Sequence, residues 1–251
     1  MFKIRNLYLY ILFPFLLIIL HLLLSLKIKI DKSINNQTQL SKKAPVIQNI
    51  VREKITYDVI FSNLYLGKSY FSNIANIKVN GRLLNLMTVE TKLTQFTDNE
   101  KIYSDPQTLL PVKVERDIYG WFIRERITED YNQEDFILTI IKKRGAKEEK
   151  IVIRKDGFIH NAVLLPYFVR KIPNLDVGKI ITANLPNCKF EIKLVSLEEI
   201  KVPAGTFKAY HFISTPKQFE IWISADEHKI PLKIRNIGTP FGYSMVMREY
   251  K

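Results

Sequence analysis

The side chains that could carry chemistry are few and scattered. The histidines are His21, His160, His211 and His228, and Cys188 is the single cysteine. None of them forms an HxH, HExxH or CxxC spacing, whereas zinc needs three or four N, S or O donors brought together. A lone cysteine leaves no intramolecular disulfide to form and reads as a small buried hydrophobe. No Gly-x-Ser-x-Gly elbow is present to hold a serine at a strained turn, although a triad drawn from distant parts of the chain stays open. Val202-Pro203-Ala204-Gly205-Thr206 lacks the Lys-Ser/Thr that grips phosphate, so it reads as a tight turn with Gly205 supplying a positive φ. The acid pairs Glu148-Glu149, Glu198-Glu199 and Asp226-Glu227 would suit proton transfer only inside a cleft. At strand ends they face water, as do Arg124/Arg126 and Lys142-Lys143-Arg144. These residues predict no catalytic group, no metal and no cofactor, and the chain reads as a non-enzyme.

Aromatic residues are the more informative class. Trp121, Tyr167, Phe168, Phe207 and Trp222, together with Leu164, are the candidates for an apolar ligand pocket. A sheet that curls without closing would present some of them on a concave face, with Leu164 to Val169 as a lid.

The elements that must position them are strands. From Ile55 onward apolar and polar residues alternate in short runs, separated by turn chemistry such as Asn80-Gly81, Asp105-Pro106 and Arg144-Gly145. Leu66-Gly67 reads as a further turn, and Trp121 to Thr128 as a strand. Asn161 to Lys171 breaks the alternation, and Pro166 limits any helix there to a short one. The prediction is a mainly β domain, a curled antiparallel sheet or half-barrel with a short helical crossover. His211 would share a strand face with Phe207, Ala209 and Ile213.

The chain ahead of this domain is of another kind. Leu7 to Leu26 holds no Asp, Glu, Lys or Arg in 20 residues, enough helix to cross roughly 30 Å of bilayer. Residues 1–26 read as one N-terminal transmembrane helix, an uncleaved anchor in preference to a cleaved signal, because no small-x-small site follows. Residues 27–50 read as a polar linker and residues 51–251 as the β-rich domain. Lys and Arg after the segment outnumber those before it, which favours a cytoplasmic domain. The short N-terminal tail favours export.

The whole chain carries 38 Lys+Arg and 25 Asp+Glu, a net +13. That balance favours anionic surfaces in general and says nothing of fold, and no nucleic-acid partner is expected.

Val202-Pro203-Ala204-Gly205-Thr206-Phe207-Lys208-Ala209, then Glu220-Ile221-Trp222-Ile223-Ser224-Ala225-Asp226 and Ile230-Pro231-Leu232-Lys233-Ile234, resemble an ordered signature. It is that of the exported bacterial family catalogued as domain of unknown function 3108. Tyr57-Asp58-Val59, Asp105 to Pro111 and Val177-Gly178 extend the resemblance over nearly all of residues 53–250. The resemblance implies a β-rich envelope protein, similar in outline to half-barrel lipoprotein carriers, and supplies no catalytic residues. It decides the orientation expected here: a single-pass inner-membrane protein with its domain in the periplasm. The partners expected are the membrane, through Leu7 to Leu26, and a lipid or an envelope protein.

Overall fold

The computed structural model describes residues 53–238 and 242–251. The anchor at Leu7 to Leu26, the linker, His21 and the domain start near Val51 lie outside the described residues. Among the described residues no helix is long and apolar enough to cross a membrane.

Fourteen strands form one antiparallel sheet: β1 (Glu53–Phe61), β2 (Leu64–Val79), β3 (Arg82–Leu93), β4 (Phe96–Ser104), β5 (Pro111–Gly120), β6 (Ile123–Asn132), β7 (Ile137–Arg144), β8 (Lys147–Arg154), β9 (Ile180–Asn184), β10 (Lys189–Val202), β11 (Gly205–Thr215), β12 (Phe219–Ser224), β13 (Pro231–Asn236) and β14 (Tyr243–Tyr250). Helix α1 (Leu165–Arg170) lies between β8 and β9. The strand order is β8-β7-β6-β5-β4-β3-β2-β1-β14-β13-β12-β11-β10-β9. Each strand therefore pairs with its sequence neighbour, β1 pairs with β14, and only the β8–β9 link is not a hairpin.

That link shows how far the sheet curls. Laid flat, fourteen strands at ~4.8 Å would hold their edges roughly 60 Å apart. Yet the backbone N–H of Lys155, just past β8, donates to Phe136, and that of His160 donates to Asn184 at the end of β9. Five residues reach at most about 18 Å. The two edges are thus near neighbours, and the sheet is an open barrel with the crossover across its concave side.

Alternation assigns the faces. On β4 Phe96, Asp98, Ile102 and Ser104 are buried while Asn99 and Lys101 are exposed. Cross-strand register carries the same inner face from β5 to β2, and through Tyr57 and Val59 of β1 into Met247 and Met245 of β14. It continues into Ile234, Ile221, Phe212 and Leu194. Helix α1 lies on this face, with Leu165 and Val169 packed beside Phe212, Ile221 and Ile223, and Leu164 and Tyr167 in the larger core with Tyr57 and Phe71. Its last turn is fastened by Arg170, which donates to both Glu53 carboxylate oxygens at 2.7 and 3.0 Å and to the His228 carbonyl at 2.8 Å.

Turn chemistry behaves as expected at Asn80-Gly81, where both residues have positive φ (48° and 82°), the backbone a two-residue hairpin requires. Two expectations change. The first hairpin turns at Ser62-Asn63 (φ 44° and 66°), and Leu66-Gly67 lies inside β2. Gly67 is there because a Cβ would stand 2.1 Å from the Lys92 carbonyl oxygen of the adjacent strand; the glycine answers a close approach of two strands, not a turn. Trp121 is not in a strand either: β5 runs on through Gly120, and Trp121-Phe122 form the turn into β6.

Candidate functional site

The inner face of β14, β1, β2, β3, β4 and β5 lines a partly open cavity of about 130 Å³, to which the crossover contributes Val163. Its apolar walls are Val59, Phe71, Val89, Leu93, Phe96 and Met245. Its polar wall is Asp98, Glu100 and Arg116, with Ser69, Thr91 and Tyr243 at its margins. These residues meet because their strands place most of them in three adjacent cross-strand rows, the first being Met245, Val59, Gly67, Leu93 and Phe96. The second row runs Tyr57, Ser69, Thr91, Asp98 and Ile118, and the third Phe71, Val89, Glu100, Arg116 and Ile127.

Within the polar wall the pairing is selective. Arg116 donates from Nε to Asp98 Oδ1 at 2.8 Å and from its Nη2 to the other carboxylate oxygen. Burial disfavours the guanidinium charge, but the bonds to Asp98 outweigh it and raise the Arg116 pKa. Ser69 and Thr91 share a hydroxyl hydrogen bond of 2.7 Å. Glu100 stands directly opposite Arg116 on the neighbouring strand, yet no ion pair or hydrogen bond forms between them. Burial raises the Glu100 carboxyl to about 7, Arg116 opposing the shift and Asp98 and Glu129 adding to it. Glu100 keeps partial exposure because it lines the cavity, although protein surrounds it.

Further charges follow along the inner face of β6 and β7. Tyr131 donates to Glu129 at 2.5 Å, and burial raises the Glu129 pKa against the pull of Tyr131, Arg116 and the buried Lys142. Glu125 is bound by Arg144 at 3.2 Å. Asp98 is bonded to Arg116, Glu125 to Arg144 and Glu129 to Tyr131, whereas among the described residues Glu100 is bonded to no cation and feels Arg116 only through space.

The six residues singled out from the sequence lie elsewhere. Trp121 is 51% exposed at its turn, edge-on to Phe122. Leu164 and Tyr167 point from the crossover into the core, where both are buried, and among the described residues the Tyr167 hydroxyl lacks a hydrogen-bond partner. Phe168 packs edge-on against His160 with centroids 5.0 Å apart. Phe207 packs on the larger core from the β10–β11 hairpin. Trp222 is buried, but its row (Asp58, Val246, Lys233, Trp222, His211) alternates with the one that contains the cavity residues Val59 and Met245. It therefore belongs to the opposite face of the sheet. There its indole donates to Glu198 at 2.7 Å, stacks on His211 at 4.1 Å and lies under the Lys233 ammonium at 4.7 Å. None of the expected lid residues Leu164 to Val169 lines the cavity; Val163, one residue ahead of them, does. Among the described residues no group of three or more His, Cys, Asp and Glu is arranged to hold a metal.

The family described as "Protein of unknown function (DUF3108)" matches residues 72–248, which takes in the polar wall and most of the sheet. The chain belongs to this family. The DUF3108 match runs from within β2 to within β14 and takes in most of the cavity lining, while Val59, Ser69 and Phe71 lie ahead of it. Two solved structures are similar to this DUF3108 protein in outline. One is a beta-barrel-like protein of domain of unknown function DUF1849 from Brucella abortus, with 7% identity, a TM-score of 0.48, and 83% of this chain and 99% of that chain covered. The other, described as a candidate lipoprotein from Parabacteroides distasonis ATCC 8503, has 9% identity, a TM-score of 0.30, and 83% and 100% covered. No curated protein matches the chain.

Proposed function

We propose that this DUF3108 protein is a non-enzymatic binding protein of the cell envelope, which takes one apolar group of an amphiphilic ligand into the interior of its curled sheet. The observation that carries the reading is the composition of the cavity: Val59, Phe71, Val89, Leu93, Phe96 and Met245 on one side and Asp98, Glu100 and Arg116 on the other. A ligand with both characters would match both walls.

Size sharpens the ligand class. A cavity of about 130 Å³ is close to the ~150 Å³ that holds one benzene ring. A whole lipid is too large, so the buried part is a single ring or a short branched or chain end. The envelope setting rests on Leu7 to Leu26 as an export anchor. The absence of a reaction from this proposal rests on how the wall is used: Arg116 is committed to Asp98, and Ser69 to Thr91.

Ligand-observed NMR on the full chain in mild detergent micelles, with benzyl alcohol, benzylamine and benzoate as ring-sized probes, tests the reading. At least one probe is expected to bind in the millimolar range or tighter, and Val89→Trp, which fills the cavity, is expected to abolish it. No binding by any probe, or binding equal in Val89→Trp, overturns it.

The alternative, a structural or protein-interaction module, is favoured by one observation. Trp121 and Phe122, 51% and 83% exposed, stand together at the β5–β6 turn, the kind of aromatic pair that anchors interfaces. A dominant cross-link in cells to one envelope protein through position 122, without any ring-probe binding, would select that reading.

A further inference from the structure

The cavity holds one acid more than its bases neutralise. Asp98, Glu100 and Arg116 line it, and both donors of Arg116 that face the wall go to Asp98. The charges that face Glu100 from the surrounding strands are Asp98 on its own strand, Arg116 on β5 and Glu129 on β6. Lys142 on β7 lies beyond Glu129 and acts on it. Tyr243 contributes a phenol from β14, and burial raises its pKa, so it stays neutral. Phe71 and Val89 of β2 and β3, in the same row as Glu100, add no charge. A buried carboxylate without a partner is costly, and the cavity that Glu100 lines has room for one.

We infer that the ligand's polar end is a cation, a protonated amine or other ammonium group that enters the cavity and pairs with the Glu100 carboxylate. The inference rests on the binding function proposed above and adds its specificity: apolar body against Phe71, Val89 and Phe96, positive end toward Glu100. Arg116 would reject a second cation and is held off Glu100 by Asp98, so the two neighbouring carboxylates have separate tasks. Asp98 neutralises the protein's own base, and Glu100 receives the ligand. Because burial raises the Glu100 carboxyl to about 7, part of the empty protein carries a proton there near neutrality, and an ammonium ligand would displace it on binding.

The three ring probes, alike in shape and different in charge, decide the matter. At pH 8 benzylamine is expected to bind at least ~10-fold more tightly than benzyl alcohol, the difference a charge-assisted bond supplies, and benzoate more weakly than either. Glu100→Gln keeps the shape and removes the charge; it is expected to bring benzylamine within ~2-fold of benzyl alcohol measured on the same variant. In wild type the benzylamine preference is also expected to shrink from pH 8 to pH 5.5, and in Glu100→Gln to stay flat. Benzyl alcohol or benzoate binding as well as benzylamine, or a preference that survives Glu100→Gln, overturns the inference while the binding function stands. Binding by none of the three overturns both.

Discussion

Arg116 passes over Glu100, the residue directly opposite it across the β4–β5 ladder, and binds Asp98 two positions along the same strand. Both carboxylates share the inner face of β4, and only one is neutralised. The choice leaves an open site beside the cavity in place of a closed ion pair.

The unpaired carboxyl should be visible in the pH dependence of stability. The folded-state pKa of Glu100 is raised to about 7 from 4.5, so between those values the native state holds a proton that the unfolded chain has released. Stability from this group is complete below about pH 4.5 and falls as pH rises toward 7, by up to about 3 kcal/mol. Glu100→Gln should remove that loss. Urea unfolding of both proteins at pH 4.5 and pH 8 is expected to give similar stabilities at the lower pH and a more stable variant at the higher.

Asp98→Ala strands the Arg116 guanidinium, whose side chain is only 16% exposed. Removing one partner of a buried pair costs roughly 3–5 kcal/mol. A smaller loss, with the pH slope of Glu100 flattened, would mean that Arg116 turns to Glu100 when Asp98 is gone. Urea titrations at the same two pH values read both quantities.

Gly67→Ala should destabilise by more than about 2 kcal/mol, since the new Cβ would lie 2.1 Å from the Lys92 carbonyl oxygen and backbone must move to admit it. Gly81→Ala has no such clash, because nothing lies within 4 Å; there the cost is the positive φ alone, about 1 kcal/mol. Comparing the two unfolding midpoints separates the steric from the conformational effect.

The two tryptophans should behave oppositely. Trp222→Ala empties a position that is 6% exposed and removes the indole donor to Glu198 and the ring stacked on His211, at a cost of roughly 3–5 kcal/mol. Trp121→Ala, at an exposed turn, should stay within about 0.5 kcal/mol. A large loss at Trp121 would show that its turn is packed in a way the exposed ring does not suggest.

Much of the site was legible one strand at a time. In β4 Asp98 and Glu100 lie between Phe96 and Ile102 at two-residue spacing, and in β5 Arg116 lies between Val114 and Ile118. Period-two counting thus places all three charges on the apolar face, a signal that aromatic content drowned out. Trp121 misled because a large aromatic residue running on into Phe122 and Ile123 reads as strand, whereas its local hairpin needed two residues to turn.

The amino-acid sequence by itself determined the strands, the Asn80-Gly81 hairpin, the interruption at Asn161 to Lys171 and the family signature, because each is local: alternation, turn chemistry and Pro166 act within a few residues. The sequence could not determine which carboxylate Arg116 would choose, or that Val163 rather than Leu164 would line the cavity. Those depend on the pairing of β1 with β14, on the register between β4 and β5, and on how far the sheet curls before the crossover spans its edges. Such distances are set by contacts between residues far apart in the chain, and only the tertiary structure decides them.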